Sequence, residues 1–531
     1  MVRWINIPFV LIILISLTLF SGCVENSKET SEKVVTIAVG SEPSTLKNTG
    51  GYYDMPKVYS SLIKSDEDLK PIPDLAESWT VDIENKTITF IMRNGVKWHD
   101  GHPFSAEDVK YTFETVRDER NIAVFTSATT DLQIIDRIDI IDLNTVVFTF
   151  NDMPASVLTY FAMPILPKHI LQNEDLNTTG YWLHPVGTGP YTLDHWIPRQ
   201  EIVYRANEEY YENIPDIDIL RFIFIPEEST RTTMLSSGEI QATKISPKLE
   251  RVVSVSGYNV YVQPSACWYG LSVPNQKWPF NILEVRQAIA YAANKQAMID
   301  ALFNGRGEVA YGPYNSKDWA YNPEVAFPYD PDHAKDLLKE GGFVFQDDHW
   351  IYQEDGKVLE FDLYYLASTP ERKDIAIALA TDLNSLHMNV NLVPMTSWAD
   401  YDVNVARNTA NILSWGSPND PDLPNYKLFS SKFINDGWWN TFSYVNPQVD
   451  ALLESGRYEW DLDARKAYYY EAQKYIAQEQ PVVFLVYPDS VYLIDERIEG
   501  IMPKNSPHGS GTQGGIISEI WWNTEDWTYR V

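Results

Sequence analysis

The stretch PIPDLAESWTVDIENKTITFIMRNGVKWHDGHPFSAEDVKYTFE, residues 71–114, holds a strand, a tight turn and a capped helix in one continuous run. Residues 87–93 alternate between apolar and polar, which predicts a half-buried strand. Asn94-Gly95 follows, and both residue types accept the positive φ of a tight turn. Ser105, with Asp108 three residues later, is the start signal of a helix. This order predicts strands and helices mixed in one fold.

The rest of the chain continues the alternation of strands and helices. Residues 34–39 form a β-branched run typical of a strand, and residues 285–299 have the apolar spacing of an amphipathic helix. A further helix begins after Asp330 and ends at Gly341-Gly342, because helix ends favour a left-handed residue. No internal repeat appears. The predicted fold class is therefore α/β.

Length and charge limit the possible functions. The chain has 531 residues, 44% of them hydrophobic and 13% aromatic, so two or three domains are expected. The net charge of −31 argues against nucleic acid and anionic lipid as partners. Cys23 and Cys267 are the only cysteines, so no disulfide can form if Cys23 is acylated.

An export signal is predicted at the N-terminus. Arg3 precedes an apolar run over residues 7–20, and small residues then lead to Cys23. The run is shorter than the roughly 20 residues of a membrane span. We expect residues 1–22 to be a signal peptide, Cys23 to be lipidated, and residues 23–33 to be a tether. The alternative is an uncleaved anchor helix. Both interpretations give an extracytoplasmic protein anchored to the cell membrane.

The sequence contains no recognisable motif of a catalytic or metal-binding site. The zinc-protease, Cys-x-x-Cys, nucleophile-elbow and phosphate-loop patterns are missing. His99 and His102 are the closest histidine pair, but a zinc site needs further ligands nearby. We therefore expect no catalytic residue, no metal and no cofactor, and a protein that binds its target rather than transforms it.

Five blocks along the chain resemble one family. In order they are residues 71–114, 185–191 (PVGTGPY), 225–240, 285–288 (VRQA), and 329–331 (YDP) with 342–343 (GF). They are similar to the extracytoplasmic solute-binding proteins, family 5, that serve ABC importers of oligopeptides, dipeptides and nickel. The resemblance covers nearly the whole chain after Cys23.

The resemblance implies a two-lobed periplasmic-binding-protein fold whose lobes close over a ligand about a hinge. It also implies the permease subunits of an ABC importer as partners. The chain would pass between the lobes near residues 269–275 and 484–490. The implied domains are a first lobe at residues 34–66, 186–273 and 489–531, an inserted subdomain at 67–185, and a second lobe at 274–488.

The segment SWGSPNDPD, residues 414–422, is the candidate ligand loop. By resemblance, Trp415 packs against the ligand in both the peptide and the nickel branches. Peptide-binding relatives carry an aspartate three residues after this tryptophan, where Pro418 stands here; Asp420 is the alternative counter-charge. The nickel branch adds an arginine and a histidine for which this chain shows no equivalent. The predicted contacts from this loop are Trp415, Gly416, Asn419 and Asp420.

Aromatic side chains elsewhere are further candidates for the cleft. They are Tyr52, Tyr53, Phe125, Trp268, Tyr269 and Trp398. The implied function is a lipid-anchored receptor that captures a peptide or a nickel chelate and delivers it to an ABC permease. Two alternatives on the same fold stay open, a surface sensor and a surface hydrolase.

Overall fold

Three large β-sheets dominate the part of the chain that the computed structural model describes, which is residues 32–43, 57–125, 127–250, 256–406, 408–416, 420–434, 436–505 and 519–530. The strands, in chain order, are β1 (Val34–Val39), β2 (Ile63–Ser65), β3 (Pro71–Pro73), β4 (Ala76–Asp82), β5 (Thr87–Met92), β6 (Ile135–Asp142), β7 (Thr145–Phe150), β8 (Tyr191–Ile197), β9 (Glu201–Ala206), β10 (Ile219–Phe224), β11 (Ala242–Ile245), β12 (Tyr258–Gln263), β13 (Cys267–Ser272), β14 (Gly307–Val309), β15 (Phe343–Gln346), β16 (His349–Tyr352), β17 (Phe361–Leu366), β18 (Val390–Met395), β19 (Asn411–Gly416), β20 (Val482–Pro488), β21 (Ser490–Asp495), β22 (Ile498–Glu499) and β23 (Thr528–Tyr529).

Helices connect and cover these strands. The α-helices are α1 (Ala106–Val116), α2 (Ile122–Phe125), α3 (Ser127–Asp131), α4 (Lys168–Leu171), α5 (Glu228–Ser237), α6 (Pro247–Glu250), α7 (Leu283–Ala292), α8 (Lys295–Leu302), α9 (Pro331–Glu340), α10 (Pro370–Ser385), α11 (Trp398–Ala406), α12 (Asp422–Phe429), α13 (Pro447–Tyr458) and α14 (Leu462–Glu479). Short 3₁₀ helices lie at Glu119–Asn121, Leu132–Ile134, Ala155–Ala162, Gly180–Leu183, Ser431–Phe433 and Ile520–Asp526. No helix in the described residues combines the length and the apolar character of a membrane span.

The three sheets draw on different parts of the chain. A seven-stranded sheet has the order β12-β21-β11-β1-β10-β9-β8, with β1 parallel to both of its neighbours. A six-stranded sheet has the order β14-β20-β13-β19-β17-β18, and a four-stranded antiparallel sheet has the order β4-β5-β7-β6. β1 and β20 are buried almost throughout, as strands covered on both faces must be.

Side chains alternate between two cores on the faces of the six-stranded sheet. Tyr269 and Leu271 of β13 join one core with α7, α9 and α10, whereas Trp268 joins the other with α13 and α14. A separate core packs the four-stranded sheet, α1 and one face of the seven-stranded sheet together. The period of two along each strand produces this division.

Within the described strands, the chain passes between the seven-stranded and six-stranded sheets twice. The first passage, residues 264–266, joins β12 to β13, a few residues before the predicted 269–275. The second is Asp489, between β20 and β21. The domain boundaries given above stay a prediction.

The predicted strand and capped helix of residues 71–114 are confirmed. Ser105 accepts a hydrogen bond from the backbone N–H of Glu107, and Asp108 accepts one from the N–H of Ser105, so the capping box is complete. Asn94-Gly95 forms the turn, with Gly95 at φ 77°. The helix after Asp330 is likewise confirmed, and Gly342, at φ 88°, is the left-handed residue at its end.

The single helix predicted over residues 285–299 is wrong. The structure has two helices, α7 and α8, because the chain turns at Ala293 and Asn294 caps α8 by accepting from the N–H of Ala297. Arg286 points out of α7 and donates to the carbonyls of Glu479 (2.8 Å) and Phe280 (2.6 Å). It therefore ties α7 to the end of α14.

The Gly187-Thr188-Gly189 segment packs closely against the backbone of Val58. A Cβ at Gly187 would lie 1.8 Å from the Val58 carbonyl oxygen, so only glycine fits. His99 fastens the same turn, since Nδ1 accepts from the N–H of Gly187 (3.2 Å) and Nε2 donates to the Gly189 carbonyl (3.0 Å). Burial lowers the pKa of His99, as expected for an imidazole with a structural role.

Candidate functional site

Three loops meet at one edge of the six-stranded sheet. β17 runs parallel to β18 and to β19, so the carboxyl ends of these strands lie at the same edge. β17 leads to the start of α10, β18 leads to α11, and β19 leads to the candidate ligand loop. The carboxyl edge of parallel strands is where α/β folds bind ligands. Arg372, Trp398 and Trp415 come from these three connections.

Arg372 lies in the first turn of α10 and is only 4% exposed. Its guanidinium carbon is 4.9 Å from the ring centre of Tyr401 and 5.1 Å from that of Trp398. Nε and Nη1 are buried and have no hydrogen-bond partner among the described residues. Arginine keeps its charge in proteins, and a buried charge without a partner is costly. The site therefore suits an anionic group, which the positive end of α10 would also favour.

The start of α10 also lies where the two large sheets approach each other. Lys248, in α6 beside the seven-stranded sheet, pairs with Asp374 of α10 at 2.7 Å. Arg306 beside the six-stranded sheet pairs with Glu250, also of α6. Arg372 is thus near the contact between the two halves of the molecule.

Trp398, half-exposed, is the outer wall of the arginine site. It meets Tyr401 edge to face at 5.6 Å, and Tyr401 stacks on Trp438 at 6.1 Å. The hydroxyl of Tyr401 donates to the backbone carbonyl of Ile412 in β19 at 2.6 Å. This hydrogen bond holds Tyr401, and with it the rings of Trp398 and Trp438, against β19, the strand that carries Trp415.

The candidate ligand loop begins from a rigid strand end. Trp415 lies opposite Trp268 across the β13–β19 ladder, and its ring centre is 5.2 Å from that of Trp439. Gly416 lies opposite Cys267, and a Cβ there would come within 2.4 Å of the Ala266 carbonyl oxygen. Glycine is required at this position because the first chain passage runs directly against it.

Asp420 is held by a buried arginine at the other end of the loop. Arg465 donates to both of its carboxylate oxygens, at 2.7 Å and 2.8 Å. This two-pronged pair is the strong geometry for arginine and carboxylate. The charge of Asp420 is therefore paired within the protein, and its role as the counter-charge for a ligand ammonium group stays a prediction.

At least three polar contacts among the described residues join the side of the four-stranded sheet to the side of α12 and α13. Ser156 donates to Asp422 Oδ2 at 2.8 Å, and Arg457 donates to the same oxygen at 2.8 Å. Burial raises the pKa of Asp422, with the charge of Arg457 opposing the shift. The other two contacts are Lys427 with Asp131 at 2.7 Å and Tyr458 with Asp152 at 2.7 Å. We call this set the closure seam.

A cavity of about 140 Å³ opens at the closure seam. It lies between the β2–β3 hairpin, the 3₁₀ helix Ala155–Ala162 and the start of α12, and its walls include Ile63, Leu69, Pro71, Leu158, Thr159 and Asp420. Its lining is mainly apolar, and its size suits one side chain or small ring.

The remaining predicted contacts have different surroundings. Phe125 and Trp268 are fully buried in cores, and Trp268 packs edge to face on Phe484 at 4.9 Å. Tyr269 is 8% exposed; burial raises its pKa, the charge of Glu371 adds to the rise, and the charge of Arg372 opposes it. Those side chains offer little surface to a ligand in this conformation. Tyr52, Tyr53, Asn419 and the lipidation candidate Cys23 lie outside the described residues.

Trp398 was predicted from the sequence, whereas Arg372 and Tyr401 were missed, although one signal for Arg372 was available. A cation in the first turn of a helix opposes the helix dipole, so Arg372 after the predicted helix start Pro370 is an unfavourable choice without an anion. Among the described residues, no three histidine, cysteine, aspartate or glutamate side chains come together as metal ligands.

Comparison with known proteins places this geometry in a family. Residues 70–436 match the family described as bacterial extracellular solute-binding proteins, family 5 Middle. The chain belongs to this family. It is 31% identical to Protein XP55 of Streptomyces lividans over 481 residues, 90% of this chain and 87% of that protein. It is 27% identical to oligopeptide-binding protein AppA of Bacillus subtilis over 474 residues, 83% of each.

A solved structure agrees with the family assignment. NikZ from Campylobacter jejuni, in complex with Ni(L-His), matches with a TM-score of 0.80 and 28% identity, covering 93% of this chain and 99% of that one. The predicted family and the two-lobed α/β fold are therefore confirmed. The chain is a family 5 solute-binding protein of the ABC importer type, which works outside the cytoplasm. Of these relatives, AppA is named an oligopeptide-binding protein, and NikZ was solved in complex with Ni(L-His).

Proposed function

We propose that this protein captures a small carboxylate-bearing solute at the carboxyl edge of its six-stranded sheet. Arg372 holds the carboxylate, and Trp415 packs against the body of the solute. The observation that carries the proposal is the buried guanidinium of Arg372, whose Nε and Nη1 have no partner among the described residues. A ligand carboxylate would accept charge-assisted hydrogen bonds from these buried donors.

The opposite end of the solute has no free ammonium group. An ammonium buried on binding needs a counter-charge. Pro418 stands where peptide-binding relatives carry an aspartate, and Asp420 is already paired with Arg465. Of the two ligand classes that the relatives' names give, oligopeptide and Ni(L-His), the chelate fits better, because the histidine amine is then occupied by the metal. Nickel is cargo here and needs no protein ligands of its own.

The proposal also includes the anchoring of the protein to the membrane and the delivery of the solute to an importer. Lipid on Cys23 would tether the receptor to the cell membrane, and the closed form would deliver the solute to permease subunits of the importer. The ligand-free protein samples the closed form, and the solute, which binds that form more tightly, shifts the population further toward it.

Isothermal titration calorimetry tests the ligand class. We expect the nickel–histidine complex and N-acetylated dipeptides to bind more tightly than the same dipeptides with a free amine. Arg372→Met should weaken binding by about 1.5–3 kcal/mol, the scale of hydrogen bonds to a charged group. The adjacent exposed Lys373→Met is the matched control and should bind as the wild type does. Equal affinity of Arg372→Met and wild type would overturn the assignment of Arg372, and preferred binding of free dipeptides would overturn the ligand class.

A further inference from the structure

Lys427 connects the closure seam to the aromatic pair at the candidate ligand loop. Its ammonium nitrogen is 2.7 Å from Asp131 Oδ1, and their side chains are only 17% and 12% exposed. Asp131 ends α3, which packs into the core with the four-stranded sheet, whereas Lys427 is in α12 beside the six-stranded sheet. The ion pair therefore exists only when these two parts of the molecule are together.

The same ammonium also lies over an aromatic face. Lys427 Nζ is 5.1 Å from the ring centre of Trp439, within the range of a cation–π contact. Trp439 meets Trp415 at 5.2 Å with an angle of 67° between the rings. One cation thus contacts Asp131 on one side of the seam and, through Trp439, the indole at the start of the ligand loop.

We propose that Lys427 is a positioning residue that couples closure to the orientation of Trp415. When the molecule closes, Asp131 fixes the ammonium over Trp439, and Trp439 then holds Trp415 in one orientation. When the molecule opens, the ammonium is released to water and the two indoles lose this restraint. The partly buried location keeps the pair from being fully screened by salt. The role of Trp415 as a ligand contact rests on the proposed function, but the coupling itself does not.

The test uses the mature protein without ligand, so its failure would be distinct from a failure of the proposed function. Small-angle X-ray scattering measures the radius of gyration of the wild type, Asp131→Asn, Lys427→Met and the double variant. Fluorine NMR of the protein labelled with 5-fluorotryptophan follows the Trp415 resonance, assigned by its loss in Trp415→Phe. Lys432→Met is the matched control, because Lys432 pairs with Glu454 on its own side of the seam.

Both single variants should have a larger radius of gyration than the wild type and a shifted Trp415 resonance, and the double variant should show no further change. Lys432→Met should match the wild type in both measurements. The decisive variant is Asp131→Asn, which leaves the lysine in place and acts on Trp415 only through it. A wild-type Trp415 resonance in Asp131→Asn, or additive effects in the double variant, would overturn the coupling. If Lys427→Met fails to fold, the Asp131→Asn result alone decides.

Discussion

At the scale of single residues, two charged side chains carry the selectivity that we propose for the site. Arg372 is buried with unsatisfied donors, whereas Asp420 is partly buried with its charge already paired. Arg372 therefore favours an anionic group on the ligand, whereas Asp420 has no unpaired charge for a cationic one. A ligand with one carboxylate and no free amine is complementary to both.

Trp415 is expected to supply much of the packing energy. Trp415→Ala should weaken binding of the nickel–histidine complex by about 1–3 kcal/mol, the scale of a well-packed aromatic contact. Calorimetry measures the loss, and Trp79→Ala in β4, a half-buried tryptophan outside the site, is the control. Unchanged affinity in Trp415→Ala would show that the indole does not contact the ligand.

Lys295 gives a stability prediction that depends on pH. It is 4% exposed, and burial lowers its pKa to about 7 from 10.5. From about pH 7 to about pH 10.5 the unfolded chain binds the extra proton, so the stability of the wild type rises with pH over this range. Lys295→Met should remove that rise and be more stable at pH 7 by about 2–4 kcal/mol.

Urea unfolding at pH 7 and pH 9.5 measures the effect of Lys295→Met. The exposed Lys339→Met serves as the control and should follow the wild type at both values. A variant that is less stable than the wild type at pH 7, with the same pH dependence, would show that Lys295 is charged and well solvated in the native state.

The sequence predicted individual site residues where a motif identified them. It failed for residues whose role depends on how the folded protein buries them. Trp415 and its loop follow from the resemblance. Arg372 does not, because its burial depends on Trp398 and Tyr401, which lie 26 and more residues away in another connection. Asp420 and Arg465, which pair with each other, are 45 residues apart in the sequence. Contacts of this kind arise only when the strands are in place.

At the scale of secondary-structure elements, the end of β19 is the most constrained point of the site. Gly416→Ala would place a Cβ 2.4 Å from the Ala266 carbonyl oxygen and force the strand end to move. We expect a loss of about 1–3 kcal/mol in stability, with weaker ligand binding. Thermal unfolding and calorimetry measure both. Gly180→Ala is the control, since nothing lies within 4 Å of its added Cβ; equal stability of the two variants would contradict the close approach at Gly416.

Helix starts that depend only on neighbouring residues were predicted correctly from the sequence. The capping box of α1 and the Asp330 cap of α9 both formed as expected, because each needs only residues within four positions. The break between α7 and α8 was missed because the apolar spacing continues across it. What interrupts the helix is the Asn294 side chain, which accepts from the Ala297 N–H and starts a new helix.

At the scale of the whole molecule, the sheets combine segments that are far apart in the chain. β1 lies between β10 and β11, and β21 joins the same sheet from near the C-terminus. Periodicity predicts strands but not which strands pair, so the two-lobed architecture came from the family resemblance alone. The closure seam could not be predicted at all, since it pairs α3 with α12, the 3₁₀ helix Ala155–Ala162 with α12, and Asp152 with α13.

We expect the attachment of the whole protein to the membrane to depend on one residue, Cys23. Cys23→Ser is expected to release the protein from membranes, because tethering would depend on acylation of that cysteine alone. Fractionation of cells that express the full chain measures the distribution, and Cys267→Ser, which should remain with the membrane, is the control. A Cys23→Ser protein that stays integral to the membrane would favour the uncleaved anchor helix.

Native mass spectrometry of the protein purified from its own host tests the central proposal most directly. The spectrum compares the wild type, Arg372→Met and Lys373→Met, and the released ligand is identified by fragmentation. We predict that the wild type and Lys373→Met carry a small carboxylate-bearing solute without a free amine, and that Arg372→Met has lost it. A ligand that has no carboxylate, or one that Arg372→Met retains at wild-type occupancy, would contradict the proposed site.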